Sequence, residues 1–89
     1  MSYKRVNSTN EAQLRQAILT YFQAGVSVEG MQHIEPFKGM MEQNVFTWER
    51  IKLIRRGLVT SALLEQVRGS TRDVVLRTTD LGRQAMMPL

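Results

Sequence analysis

The sequence predicts a single α+β domain in which three helices precede a β-hairpin and a short closing helix. Three observations carry that expectation: an apolar stripe of helical period near the N-terminus, two β-prone runs around a Gly-containing turn in the C-terminal half, and the length. Eighty-nine residues suffice for one hydrophobic core and are too few for two. At 43% apolar, 22% charged and only 2 Pro, the composition is that of an ordinary globular chain, which excludes disordered, collagen-like and low-complexity classes. Residues 1–89 are therefore read as one domain, with 1–7 as a flexible lead-in and no internal repeat.

The first helix is expected over 9–24. Ser8-Thr9-Asn10-Glu11 has the spacing of a capping box, in which the Ser hydroxyl and the Glu carboxylate each take an orphan backbone N–H. Leu14, Ala17, Ile18, Tyr21 and Phe22 then recur at three- and four-residue steps, with Gln13, Arg15, Gln16 and Gln23 off the stripe. Gly25 stands where a left-handed C-terminal cap is wanted.

Residues 27–43 read as two short helical pieces, or as one helix and an irregular connection. Ser27 is a candidate cap for a helix from Val28 to about Ile34, with Met31 and Ile34 inward. Pro36 pushes Glu35 out of the helical region, so the helix breaks there. Pro36 then opens a new turn that carries Phe37, Met40 and Met41 inward, although Gly39 weakens it.

The third helix is expected from Val45 to Arg56, capped by Asn44 and ended by Gly57. Trp48, Ile51, Ile54 or Arg55, and Leu58 mark its buried side, leaving Thr47, Glu49, Arg50, Lys52 and Arg56 exposed. A β-prone run from Leu58 to Val67, a turn over Arg68-Gly69-Ser70-Thr71-Arg72, and a strand from Asp73 to Thr79 form the hairpin. The helix propensity of Ala62–Gln66 makes its first strand the weaker one. Thr79 or Asp80 caps a closing helix, Leu81 to Met87, stopped by Pro88.

Charge is unevenly placed. The formal net charge is +4, and residues 45–89 carry all of it, because the cations and carboxylates of residues 1–44 balance. Seven of the eight cations in that half are Arg, whose planar fork suits phosphate oxygens and guanine edges. The alternative is a solvated basic face with no partner.

For catalysis the chain offers little. With 0 Cys and 1 His there is no thiol nucleophile, disulfide framework or thiolate zinc site, and His33 alone cannot supply a metal cage. No Gly-rich phosphate loop or Asp/Glu cluster at metal spacing is present. An enzyme, a cofactor or a resident metal is not expected. Nor is a membrane partner, since no run of about 18 apolar residues exists and the opening residues lack the apolar stretch of a secretory signal. The expected location is the cytoplasm, with which the lack of cysteine agrees.

Two segments give the order of elements a family likeness. Ile51-Lys52-Leu53-Ile54-Arg55-Arg56-Gly57-Leu58-Val59 looks like the end of a recognition helix running into a wing, and Leu76-Arg77-Thr78-Thr79-Asp80-Leu81-Gly82 looks like a wing strand ending in Leu-Thr-x-x-Gly. Together they resemble the winged helix-turn-helix family over about residues 8–87. Thr78 departs from it, standing where that family usually keeps Leu. So does the stretch between the second and third helices, which exceeds the three- or four-residue turn of a compact helix-turn-helix.

The resemblance implies a DNA-binding protein, a transcriptional or replication-associated regulator, with its third helix in the major groove of double-stranded DNA. Asn44, Thr47, Arg50 and Lys52 would then face bases and backbone, because recognition helices approach bases through their N-terminal residues. Arg68 and Arg72 would flank the wing tip, where a narrowed minor groove attracts guanidinium. Arg55 and Arg56 would meet phosphates or compensate the helix dipole. A homodimer on a pseudo-palindrome is the expected assembly, through helix 1 or the Met86–Leu89 tail.

Plainer readings stand beside these. Trp48, Phe22, Phe37 and Phe46 are expected in the core, His33 at or near the surface, and the methionines as gap-filling core or a dimer surface. Arg50 and Lys52 would then simply pair with Glu49 or neighbours. The functional alternative is a winged-helix protein–protein interaction module without direct DNA binding. RNA binding is a third option, disfavoured because its major groove is too narrow for a helix.

Overall fold

A computed structural model describes residues 8–67 and 74–86. The described chain is a small α+β fold. It runs α1 (Ser8–Tyr21), β1 (Val26–Ser27), a 3₁₀ turn (Met31–His33), α2 (Phe37–Glu42), α3 (Trp48–Thr60), β2 (Leu64–Gln66), β3 (Val75–Thr78) and α4 (Asp80–Met86). The three strands form one antiparallel sheet in the order β1-β3-β2. No described helix is long and apolar enough to cross a membrane.

The core follows the periodicities. Leu14, Ile18 and Leu19 from α1 and Phe22 just after it pack with Ile51, Ile54 and Leu58 from α3, and Phe37, Met31, Phe46, Leu64 and Leu76 close the cluster. Ala17 and Tyr21 are partly buried against it, so the stripe on α1 is where the spacing puts it. Gly25 adopts a left-handed φ of 82°, and its N–H donates to the Phe22 carbonyl (3.1 Å), although the regular helix already ends at Tyr21.

The segment after α1 differs from expectation. Ser27 does not cap a helix. Val26 pairs with Leu76 and Ser27 with Val75, and the Val28 N–H donates to the Val74 carbonyl (2.9 Å), so sheet pairing claims this backbone first. The Ser27 hydroxyl instead accepts from the Glu29 N–H (3.0 Å), and Gly30, at φ 85°, turns the chain into the 3₁₀ turn. Met31 is buried as expected, but Ile34 is already extended and 39% exposed. The break falls at Pro36, which follows a cis peptide bond and caps α2. Phe37 is buried, and Met40 and Met41 are partly so.

Both ends of α3 lie beyond their expected places. Asn44 takes a left-handed φ of 59° in a turn, and the true cap is Thr47, whose Oγ1 accepts from the Arg50 N–H (3.1 Å). Phe46 before that cap and Ile51 after it are both buried, the positions of a hydrophobic staple. At the other end Leu58-Val59-Thr60 is the last turn of α3 rather than the start of a strand. Leu58 lies four residues beyond Ile54 and extends the buried stripe, so packing outweighs β-branched preference. Gly57 is inside the helix.

The hairpin is present with shorter strands than expected, and the closing helix begins one residue earlier, at Asp80. β2 pairs with β3 in the register Leu64–Thr78, Glu65–Arg77 and Gln66–Leu76. Thr79 caps α4, its Oγ1 accepting from the Gly82 N–H (3.0 Å).

Candidate nucleic-acid interface

Helix α3 presents two different basic flanks. At 3.6 residues per turn, Trp48, Lys52, Arg55 and Arg56 fall within an arc of roughly 100°, whereas Arg50 lies about 160° round the helix from Lys52. The cations that sequence places together are therefore divided.

On the first flank, the half-buried Trp48 ring has two cations at its face. Lys52 Nζ and Arg55 Cζ are each 5.9 Å from its centroid, within cation–π range. Lys52 also pairs with Glu49 (3.1 Å) one turn away. Arg55 is partly buried; one guanidinium nitrogen approaches the Met31 sulfur (3.6 Å), and no carboxylate among the described residues pairs with it. Burial, with Arg56 next to it as a smaller cause, holds its pKa below the usual arginine value. Arg56 is exposed and likewise has no carboxylate partner among the described residues. This flank looks onto a shallow depression whose far wall is Glu29, Gly30, Gln32 and His33. Trp48 thus packs against the edge of the core with part of its ring exposed, whereas Phe22, Phe37 and Phe46 are fully inside it.

On the second flank, Arg50 Nη2 donates to Glu11 Oε2 at 2.5 Å, across the seam between α3 and α1. The other oxygen of the same carboxylate accepts from Arg15 (3.2 Å). The Arg50 hydrogen bond is the main cause that holds the Glu11 carboxyl below its ordinary value; burial opposes it and the charges of Arg50 and Arg15 add to it. Beyond them a groove of about 400 Å³ runs between the helices over Leu53, Gly57 and Leu58. Leu53 is 55% exposed at its edge.

Of the remaining expected contacts, Asn44 is exposed in the turn before α3, and Thr47 is exposed with its hydroxyl oxygen used as the cap. Arg68 and Arg72 lie outside the described residues, in the chain that joins Val67 to Val74. The other described cations of the C-terminal half are paired: Arg77 with Glu65 across the β2–β3 ladder (2.6 Å) and Arg83 with Asp80 in α4 (2.7 Å). Sequence reasoning missed Glu11 and the Met31 support of Arg55. Both partners are distant in the chain, 39 residues from Arg50 and 24 from Arg55, and no local spacing announces them.

No family model, curated protein or solved structure matches the chain.

Proposed function

We propose that the protein binds double-stranded DNA as a winged helix, with α3 in the major groove and the β2–β3 hairpin against the neighbouring backbone or minor groove. The order of elements supports the reading: α3 leads directly into the hairpin, and β1, between α1 and α2, pairs with β3 and so ties the hairpin to the helical layer. The observation that carries it is the continuous flank of Lys52, Arg55 and Arg56 on α3, on which the two arginines have no internal carboxylate among the described residues. A guanidinium partly stripped of water with no counter-charge is best satisfied by an external anion, and phosphate suits its fork.

The charge inventory agrees. Described residues hold eight Lys and Arg against seven carboxylates, so three of the four net charges come from Lys4, Arg5, Arg68 and Arg72 less Asp73. Two of these four cations belong to the connection between β2 and β3. Because one α3 spans few base pairs, a symmetric pair of subunits on a pseudo-palindrome belongs to the proposal, as does a regulatory role in transcription or replication.

Anisotropy of a labelled 20-base-pair duplex, titrated at several salt concentrations, tests it. Arg55→Gln combined with Arg56→Gln should lower affinity about tenfold near 0.1 M salt and flatten the log–log salt slope by about 1 to 2, at 0.9 per phosphate. An unchanged slope in a folded variant sinks the assignment. A second reading, a protein-interaction module, is favoured by Leu53, exposed on α3 beside a groove that Ile54, Leu58 and Leu63 also line. No salt-dependent duplex binding by the unmodified chain would move the conclusion to that reading.

A further inference from the structure

Glu11 holds two guanidinium groups from two helices on its two oxygens, Arg15 from α1 on one and Arg50 from α3 on the other. We propose that Arg15 and Arg50 form a second phosphate-binding position for the DNA backbone, with Glu11 as its internal occupant and competitor. The inference rests on the nucleic-acid reading above and adds a site to it.

Three features of the geometry point this way. A carboxylate presents a pair of anionic oxygens much as a phosphate does, so two arginines converging on one carboxylate form a fork that a phosphate can fill. Their exposures differ in the needed sense: the Arg15 and Arg50 side chains are 49% and 45% exposed, while Glu11 is only 20% exposed. The cations reach outward from a carboxylate that lies beneath them. Finally, Arg50 belongs to the first turn of α3, the end through which such a helix approaches a duplex, yet its charge is cancelled locally. One carboxylate against two guanidinium groups leaves the position with a residual positive charge, enough to attract a phosphate but weakened by the resident anion.

The position differs from the Lys52, Arg55 and Arg56 flank. It lies on the opposite side of α3, at the mouth of the groove between α1 and α3. A duplex lying along the exposed face of α3 would meet both flanks, one on each side of the groove edge. In the absence of Glu11's charge, the second side would strengthen.

The test is a double-mutant cycle on the full chain with the same labelled duplex. Glu11→Gln keeps the side-chain length and a hydrogen-bonding oxygen while removing the charge. It should tighten binding roughly 3- to 10-fold at 0.15 M salt and steepen the salt slope by about 1 to 2. Arg50→Gln alone should weaken binding only about two- to threefold, because Glu11 already offsets much of its charge. In the Glu11→Gln background the same substitution should abolish most of the gain. That non-additivity is the signature of a clamp, whereas a bridge that merely joins α1 to α3 gives a Glu11→Gln chain that binds no better. Circular dichroism on each variant establishes folding, and Glu11→Asp, which keeps the charge, should leave affinity near the starting value.

Three outcomes overturn the proposal. An unchanged or shallower slope in folded Glu11→Gln overturns the clamp while leaving DNA binding in place. Saturable binding of inorganic phosphate by Glu11→Gln, without any change in its duplex slope, assigns the position to a free anion and overturns its backbone role. Failure of every variant to bind duplex at low salt overturns the clamp and the nucleic-acid reading together.

Discussion

Thr78 shows how one hydroxyl can join two elements. It is 1% exposed at the end of β3, its Oγ1 donates to the Leu19 carbonyl (2.6 Å) and its backbone N–H donates to the Phe22 carbonyl (3.0 Å). The last turn of α1 thereby finds partners for carbonyls that a helix leaves open at its C-terminus. A leucine there would fill space without donating. Thr78→Val keeps the shape and removes the donor, leaving a buried carbonyl without that partner. The expected cost is about 1–2 kcal/mol, read as a lower urea midpoint with an unchanged m-value. Thr79, its neighbour, serves a different pair: its hydroxyl donates to the Ala62 carbonyl (2.7 Å) and accepts from the first turn of α4. By contrast, exposed pairs such as Arg77–Glu65 and Arg83–Asp80 contribute little stability each, commonly below about 1 kcal/mol.

Helix α3 ends three residues after its glycine rather than at it. Ser61 is the cap, the Ala62 N–H returns to the Val59 carbonyl (3.0 Å) and the Leu63 N–H to the Leu58 carbonyl (2.9 Å). These are the two bonds of a Schellman motif, with Ala62 at φ 66° in the place usually taken by glycine. Meanwhile Gly57 is in mid-helix with a right-handed backbone, and nothing lies within 4 Å of where its Cβ would be. The two positions are therefore reversed relative to intrinsic preference. Gly57→Ala should stabilise the protein by up to about 1 kcal/mol through helix propensity, and Ala62→Gly by about 0.5–1 kcal/mol by relieving the left-handed strain. Thermal unfolding of each variant measures both; a loss of stability in either contradicts the account of that end. If Gly57 also serves a close approach of DNA, the duplex affinity of Gly57→Ala will fall while its stability rises.

Gly82 reports on how the whole chain closes. It lies in α4 near its cap, and an added Cβ would collide with the Leu63 carbonyl and approach Thr78 Cγ2 to 2.7 Å. The end of the α3–β2 connection, the end of β3 and α4 therefore converge on one point that admits no side chain. Propensity alone would have alanine stabilise the helix by nearly 1 kcal/mol. The tertiary contact reverses the sign: Gly82→Ala should destabilise by about 1–3 kcal/mol and lower Tm by roughly 5 °C or more, with stabilisation as the contrary result. The same closure brings Gln16 of α1 to the Ala85 carbonyl of α4 (3.0 Å), so residues 69 positions apart share one side of the molecule. Charge is distributed at this scale too. The described body is almost neutral, the α3 cations are split between two sides of the helix, and the DNA proposal depends on the side where Arg55 and Arg56 have no carboxylate partner among the described residues.

Local patterns were sufficient wherever a period or a cap chemistry runs for a full turn or more. The stripe of α1, the Gly25 turn, the break at Pro36, the antiparallel hairpin and the Thr79 cap were all legible, because each depends on near neighbours in the chain. The misplaced features depend on distant ones. β1 is two residues long, too short to show alternation, and exists because β3 offers it a pairing edge. The choice between Asn44 and Thr47, and the run of α3 through Leu58, followed from which side chains the core accepts. The interface divides in the same way. That cations crowd the α3 segment was plain from composition, but which of them are neutralised was not, since Glu11 reaches Arg50 across 39 residues and Arg55 finds Met31 across 24. Charge along a chain is a sum over residues; free charge on a surface depends on which opposite charges folding brings within about 4 Å.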